Sequence, residues 1–292
     1  MTVTRVGIVA KGGLSAAAPH LAALIAWLSE RGIESIVETE TAELASLRDQ
    51  PALSRDALPS HVDLLVVLGG DGTMLGMAAR AGATGRSVPI LGVNFGRLGF
   101  LTEVTLDELY PSLESVLAGT AAMQERRLLD ATVLRKGSPQ HSQVVLNDVV
   151  VTRGEISRVI DLEVSVDGEF VTRAKADGII VASPTGSTAY NLAASGPIVH
   201  PQVDAIVITP IAPHTLANRP IVIPAASIVD VRPIETSRPG DVLATFDGQT
   251  TFKLGADDVV RVTRGATPVR IVRSASRTYF DTLREKLGWG ER

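Results

Sequence analysis

Up to about Arg126 the chain alternates short, continuously apolar runs with stretches whose apolar residues recur three and four positions apart. Val6-Gly7-Ile8-Val9-Ala10, Leu64 to Leu68 and Pro89 to Val93 carry no polar face, and Ile33 to Val37 is a further strand candidate. Strands buried on both sides of a parallel sheet read this way. Leu21, Leu24, Ile25 and Leu28 mark a helix that Gly32 ends; Leu106, Leu109, Leu113, Val116 and Leu117 mark another that ends at Gly119. The alternation predicts a Rossmann-like α/β domain on a parallel sheet.

Beyond Arg126 strand-like runs follow one another with little helix between them: Leu129 to Leu134, Val144 to Val151, Val159 to Val166, Ala205 to Thr209, Ile221 to Ile223 and Val259 to Val262. Asp167-Gly168 and Asp247-Gly248 are hairpin-turn signals. This half predicts an all-β sandwich. One helix is expected inside it, Thr188 to Ala194, and a short amphipathic one near the end, Leu283 to Leu287. The expected domains are 1–123, completed by a returning segment 275–292, and 124–274.

Composition narrows the function classes. The 292 residues supply ample apolar material for two cores. A net charge of −4 without a long basic run argues against a nucleic-acid partner. The chain has no cysteine, which removes disulfides and thiolate metal sites. No apolar stretch approaches the roughly 20 residues that span a bilayer, and the N-terminus leads straight into a strand-like run. The expectation is a cytoplasmic protein with no membrane partner.

Two stretches carry candidate chemistry. Gly69-Gly70-Asp71-Gly72 joins the Leu64–Leu68 strand to a helix-like segment from Met74. Glycines let backbone approach a ligand, and the following helix start offers N–H groups to phosphate. Asp71 is out of place against phosphate: it either caps the helix or handles a proton or a hydroxyl. Its place at the carboxyl end of a parallel strand favours a ligand site. The second stretch, Asp177 to Tyr190, runs from a strand through a small, hydroxyl-rich loop into the second-half helix, which Ser187 or Thr188 would cap; Tyr190 offers a face for a base. Lys11-Gly12-Gly13 reads as an ordinary glycine turn, and the five scattered histidines, His200 and His214 among them, as structural.

Four segments in order, Gly69-Gly70-Asp71-Gly72-Thr73, Gly92 to Leu101, Leu146-Asn147-Asp148 and Asp177 to Pro201, resemble the bacterial NAD kinase family over nearly the whole chain. The resemblance implies an α/β domain, a β-sandwich domain and a site in the cleft between them. It implies transfer of the γ-phosphoryl of ATP, or of polyphosphate, to the adenosine ribose 2′-hydroxyl of NAD. A divalent ion, Mg²⁺ or similar, arrives with the nucleotide, and no dedicated metal site is expected. A homodimer or homotetramer is implied, with a neighbouring subunit helping to build each site.

By the same resemblance Asp71 is the proton acceptor, and Gly70 and Gly72 keep the phosphate approach open. Asn147 and Asp148 match an Asn-Glu pair that contacts the dinucleotide, with Asp one methylene shorter. Asp177, Thr188, Ala189, Tyr190 and Ala193 match the segment that holds NAD, although relatives often carry a hydroxyl where Ala193 stands. Lys175 replaces an Arg linked to the choice of NAD over NADH, keeping the charge without the guanidinium fork. Arg158, Phe100, Ala212 and Gln249 match positions bordering the site. Two rivals share parts of the pattern. Lipid kinases of the diacylglycerol or sphingosine type share GGDGT but not the 183–190 segment, and a non-enzymatic dinucleotide sensor would lack the base.

Overall fold

The computed structural model describes residues 2–96, 98–154, 160–215, 217–234 and 242–289. It divides into two units: Met1–Glu125 with Val269–Arg292, and Arg126–Pro268.

The first unit is built on one sheet ordered Ala52–Leu53, Glu34–Glu38, Arg5–Ala10, Leu64–Leu68, Pro89–Asn94, Val269–Val272 and Met123–Arg126, with Val104–Thr105 paired to Pro89–Asn94. Its register pairs from Ala52 through Val272 are parallel. All five residues of Leu64–Leu68 are buried, which is why the run has no polar alternation. On one face Ala18–Ser29 and Leu109–Leu117 pack Leu21, Leu24, Leu28, Leu113 and Val116 against Val6, Ile8, Leu64, Val66 and Val93. The expected return segment starts earlier than 275, because Val269–Val272 is itself a strand beside Pro89–Asn94.

The strand order places a topological switch between Arg5–Ala10 and Leu64–Leu68, whose onward connections run in opposite directions along the sheet. Such switch points open a crevice at the carboxyl ends of the strands. The two turns emerging there interlock: the Lys11 N–H donates to the Leu68 carbonyl at 2.9 Å, and a Cβ on Gly69 would sit 3.0 Å from the Lys11 Cβ.

The second unit is the expected sandwich. One six-stranded sheet runs Ile221–Pro224, Ala205–Ile211, Gly178–Ala182, Asp148–Arg153, Val242–Phe246, Thr250–Leu254; the other runs Glu169–Ala176, Ile160–Val166, Val229–Pro233, Asp258–Arg264, Leu129–Arg135, Ser138–Val145. Their inner faces share one core, with Val149, Val151, Ile179 and Phe246 from the first sheet against Ala131, Leu162, Val231 and Val260 from the second.

Two sequence expectations fail in this unit. The Val144–Val151 run is two strands in different sheets, broken at Leu146-Asn147. The Thr188–Ala194 helix is two short turns, Thr185–Thr188 and Tyr190–Ala193, separated by Ala189 at φ −94°, ψ −130°. Buried Asn191 shapes that break: its amide donates to the Ser187 and Pro197 carbonyls at 3.0 Å, and its Oδ1 accepts from the Thr209 hydroxyl at 2.6 Å.

Candidate functional site

Asp71 is the first residue of the Asp71–Ala83 helix, and Gly70 is its N-cap. The capping reading of Asp71 therefore does not hold. Its carboxylate turns to the segment after Gly99 instead. Oδ2 accepts the Phe100 N–H at 2.8 Å; Oδ1 accepts the Leu101 and Thr102 N–H groups at 3.1 Å and the Thr102 hydroxyl at 3.0 Å. Four donors from three consecutive residues lock its orientation and leave Oδ2 with the lighter load. Phe100 thus serves Asp71 through its backbone, a role its side-chain chemistry did not suggest.

The glycines sort by what they face. A Cβ on Gly99 would lie 1.9 Å from Asp71 Oδ1 and 2.5 Å from the Thr102 hydroxyl. Only a residue without a side chain lets this loop close over the carboxylate. At Gly70 and Gly72 a Cβ would meet no atom within 4 Å among the described residues. Internal packing does not demand glycine at either position, so the open space in front of the helix start is what their lack of side chains preserves.

In the second unit a cavity of about 460 Å³ brings together Asn147, Asp148, Ala189, Tyr190, Asp247 and Gly248. The chain reaches it by changing sheets at Leu146-Asn147. Asp247 holds that turn: its Oδ2 accepts the Leu146 N–H at 2.8 Å, and its Oδ1 accepts the N–H groups of Asn147 at 2.7 Å and Asp148 at 3.1 Å. Asp247 takes φ +50° to do so, a conformation Asp tolerates better than most residues. Ser183 and Gly186 close the other side. The Ser183 N–H donates to the Asn147 carbonyl at 2.8 Å, and a Cβ on Gly186 would fall 2.1 Å from that carbonyl oxygen. Tyr190 is 45% exposed, so its ring face is available for stacking.

The cavity holds two buried carboxyl groups. Burial, reinforced by the Asp247 charge, pushes Asp148 up to about 7. Burial also raises Asp247 above the usual carboxylate range, while its three backbone N–H donors oppose the rise.

The other predicted residues stand elsewhere. Thr188 closes its own turn by donating to the Thr185 carbonyl, and neither it nor Ser187 caps the following helix. Ala193 ends that helix on the surface. Gln249 follows Gly248 in the hairpin, its N–H on the Phe246 carbonyl. Lys175, Asp177 and Ala212 form a separate group. The Asp177 N–H donates to the Ile211 carbonyl and the His214 N–H to the Lys175 carbonyl; Ala212 sits at φ +42°; Asp177 pairs with Arg153 at 3.1 Å. Arg158 lies outside the described residues. Among the described residues no three or more His, Asp or Glu gather as a metal site.

Sequence reasoning missed Asp247, Gly99 and Gly186 as parts of the site. Asp247-Gly248 signalled a hairpin, and nothing local showed that its carboxylate meets a segment 100 residues earlier.

The family model for the ATP-NAD kinase N-terminal domain matches residues 6–121, and that for the ATP-NAD kinase C-terminal domain matches 146–274. The chain belongs to the NAD kinase family. It is 47% identical over 269 residues to an NAD kinase of Geotalea daltonii, covering 92% of this chain and 93% of that one. Against an NAD kinase of Syntrophotalea carbinolica it is 46% identical over 288 residues, covering 99% of both. Yeast NADH kinase, solved with NADH, superposes with a TM-score of 0.91 at 27% identity, covering all of this chain and 89% of that one. An Archaeoglobus fulgidus NAD kinase solved with ATP shares the fold, with a TM-score of 0.75 at 24% identity over 97% of this chain and 98% of that one. Membership of this family makes the protein a phosphotransferase, and no helix among its described residues is long and apolar enough to cross a membrane.

Proposed function

We propose that this NAD kinase moves the γ-phosphoryl of ATP, or the terminal phosphoryl of polyphosphate, onto the adenosine ribose 2′-hydroxyl of NAD, with Asp71 as the proton acceptor. The observation that carries the assignment is the aim of the Asp71 carboxylate. It stands at a helix start on the topological switch point, held by four donors rather than spent on capping. Phosphoryl transfer proceeds through a loose transition state, so positioning matters more than nucleophile strength. A fixed carboxylate oxygen orients the 2′-hydroxyl and takes its proton as the new P–O bond forms. The open space before Gly70 and Gly72, with the N–H groups of the helix start, admits the donor phosphates.

Asn147, Asp148, Ala189 and Tyr190 hold the dinucleotide in the second unit, with Tyr190 stacking on a base and Thr188, Ala193 and Gln249 bordering it. A divalent ion carried on the donor phosphates would supply charge neutralisation. Lys175, with its positive charge kept, favours oxidised NAD. The protein works as a cytoplasmic homodimer or homotetramer. Asp177 lies five residues along the strand pair from the partner of Asp148, about 16 Å at the usual strand rise; Ala212 follows the neighbouring strand just past the partner of Gly178, and Lys175 is on the adjoining strand of the facing sheet. That separation supports their serving the site of a neighbouring subunit.

The test is incubation of the purified protein with ATP, Mg²⁺ and NAD, followed by assay of NADP. Asp71→Asn is expected to bind NAD with unchanged affinity and to lose about 10²- to 10⁴-fold in kcat, the usual contribution of a positioned base. Surviving turnover in that variant would make Asp71 an orienting group only, and no NADP from the unaltered protein would overturn the function.

A further inference from the structure

The carboxyl pair in the second-unit cavity has a chemistry of its own. Both oxygens of Asp247 are committed to the backbone N–H groups of Leu146, Asn147 and Asp148, and its own N–H returns to the Asp148 carbonyl at 2.9 Å. Asp247 is therefore the member whose charge the fold satisfies, since three N–H donors favour the ionised form. Asp148 is 4% exposed. Among the described residues no hydrogen bond or ion pair reaches its carboxyl group, although its backbone N–H and carbonyl are both paired with Asp247.

Among the described residues of the second unit no ion pair to either carboxyl group is formed. The strands on either side, Gly178–Ala182 and Val242–Phe246, contain no titratable residue, and the 184–193 segment contributes only Tyr190. Arg153, at the far end of the strand that begins with Asp148, is paired with Asp177. His141 stacks on Phe246, with ring centroids 5.1 Å apart, on the face of the sheet that carries Val149 and not Asp148. On the Asp148 face Val199 packs with Val150 and Ala182, and His200 follows it in the chain. Three of the roughly four lone-pair sites of Asp247 are taken by backbone N–H groups, so it offers a divalent ion little. A buried carboxyl group beside a satisfied carboxylate, with no ion pair of its own, is most stable holding a proton.

We propose that Asp247 is a positioning residue that keeps Asp148 a neutral carboxylic acid, so that Asp148 meets the ligand as a hydrogen-bond donor. Its partner is an uncharged acceptor of the dinucleotide, a hydroxyl or ring nitrogen. The inference rests on the second unit's cavity being the dinucleotide site. It explains how a cavity with two acidic residues admits a ligand that carries a negatively charged pyrophosphate: one charge is absent, and the other is spent on three backbone N–H groups. It also makes dinucleotide affinity a function of pH near neutrality, where Asp148 titrates.

Calorimetric titration of the whole protein with NAD, from about pH 5.5 to 8.5 in buffers of different ionisation enthalpy, tests the proposal. The dissociation constant is expected to rise by up to about tenfold per pH unit above a midpoint near neutrality, with proton uptake on binding above that midpoint. Asp148→Asn, which keeps an N–H donor and cannot ionise, is expected to bind with a flat pH profile and no proton uptake. Asp247→Asn is expected to move the midpoint to lower pH. A pH-independent dissociation constant in the unaltered protein overturns the proposal without touching the kinase assignment. Proton uptake that persists in Asp148→Asn also overturns it and assigns the titration to another group. Absence of NAD binding at every pH overturns both readings, and the NADP assay on the same preparation separates that case from the others.

Discussion

Asp71 and Gly99 act as one device. The carboxylate cannot swing, because three consecutive residues donate to it across a contact that tolerates no side chain at position 99. Gly99→Ala must push the Phe100–Thr102 segment off the carboxylate or turn the carboxylate away. Overpacking of this kind costs about 1–3 kcal/mol, and displacement of a reacting group by an ångström has cost 10²-fold in rate elsewhere. The expected outcome is a fall in kcat of at least about tenfold with little change in the affinity for NAD. Comparing kcat with calorimetric NAD binding checks this, and equal losses in both would mean that the whole site had collapsed. Gly70→Ala is a useful contrast, because its Cβ would meet open space. Loss of activity there without loss of melting temperature would place a ligand in that space.

Longer elements show how local chemistry and topology divide the work. The closing helix, Tyr279–Leu287, is specified by its own residues. Thr278 accepts the Asp281 N–H, the Asp281 carboxylate accepts the Thr278 N–H at 2.9 Å, and Gly288 at φ +63° ends the helix. Thr278→Ala removes one half of this capping box and is expected to cost about 1 kcal/mol, read as a drop of a few degrees in melting temperature with the Asp71 chemistry untouched. The stretch expected as one helix, Thr188 to Ala194, behaves differently. Its composition suggests a continuous helix, yet the fully buried Asn191 spends its side chain on Ser187, Pro197 and Thr209 and holds a break at Ala189. The break leaves Ala189 and Tyr190 lining the cavity.

As a molecule, the chain joins a unit whose parallel sheet carries Asp71 at a helix start to a sandwich whose cavity is lined by Asn147, Asp148 and Tyr190. The second-unit residues fall into two groups at opposite ends of one strand pair, Asn147 with Asp148 and Asp177 with Arg153. If the Asp177 group completes a neighbouring subunit's site, inactive variants complement each other. In co-expressed Asp71→Asn and Asp177→Ala chains assembled at random as dimers, half the dimers are mixed and half their sites carry both native residues. About one quarter of native activity is then expected, and activity no higher than that of either variant alone would confine each site to one chain.

Continuous apolar runs, helical spacing and turn signals located the parallel strands, the two packed helices of the first half and the β character of the second. Those features are local, because burial on both faces or on one face leaves its period in neighbouring residues. The order of the four motifs likewise identified the family, and the resemblance singled out Asp71, Asn147, Asp148 and Tyr190 as candidates. What stayed hidden depended on partners far apart in the chain. The Leu146-Asn147 crossing between sheets is held by a carboxylate 100 residues later, so a run that reads as one strand becomes two. Gly99 looked like one of many glycines until Asp71 Oδ1 stood where its Cβ would be. Asp247 looked like a turn residue until its carboxylate closed on three N–H groups. Hydrophobic period records which way a side chain faces, whereas the direction of a carboxylate and the charge it meets are set by long-range contacts that only folding brings together.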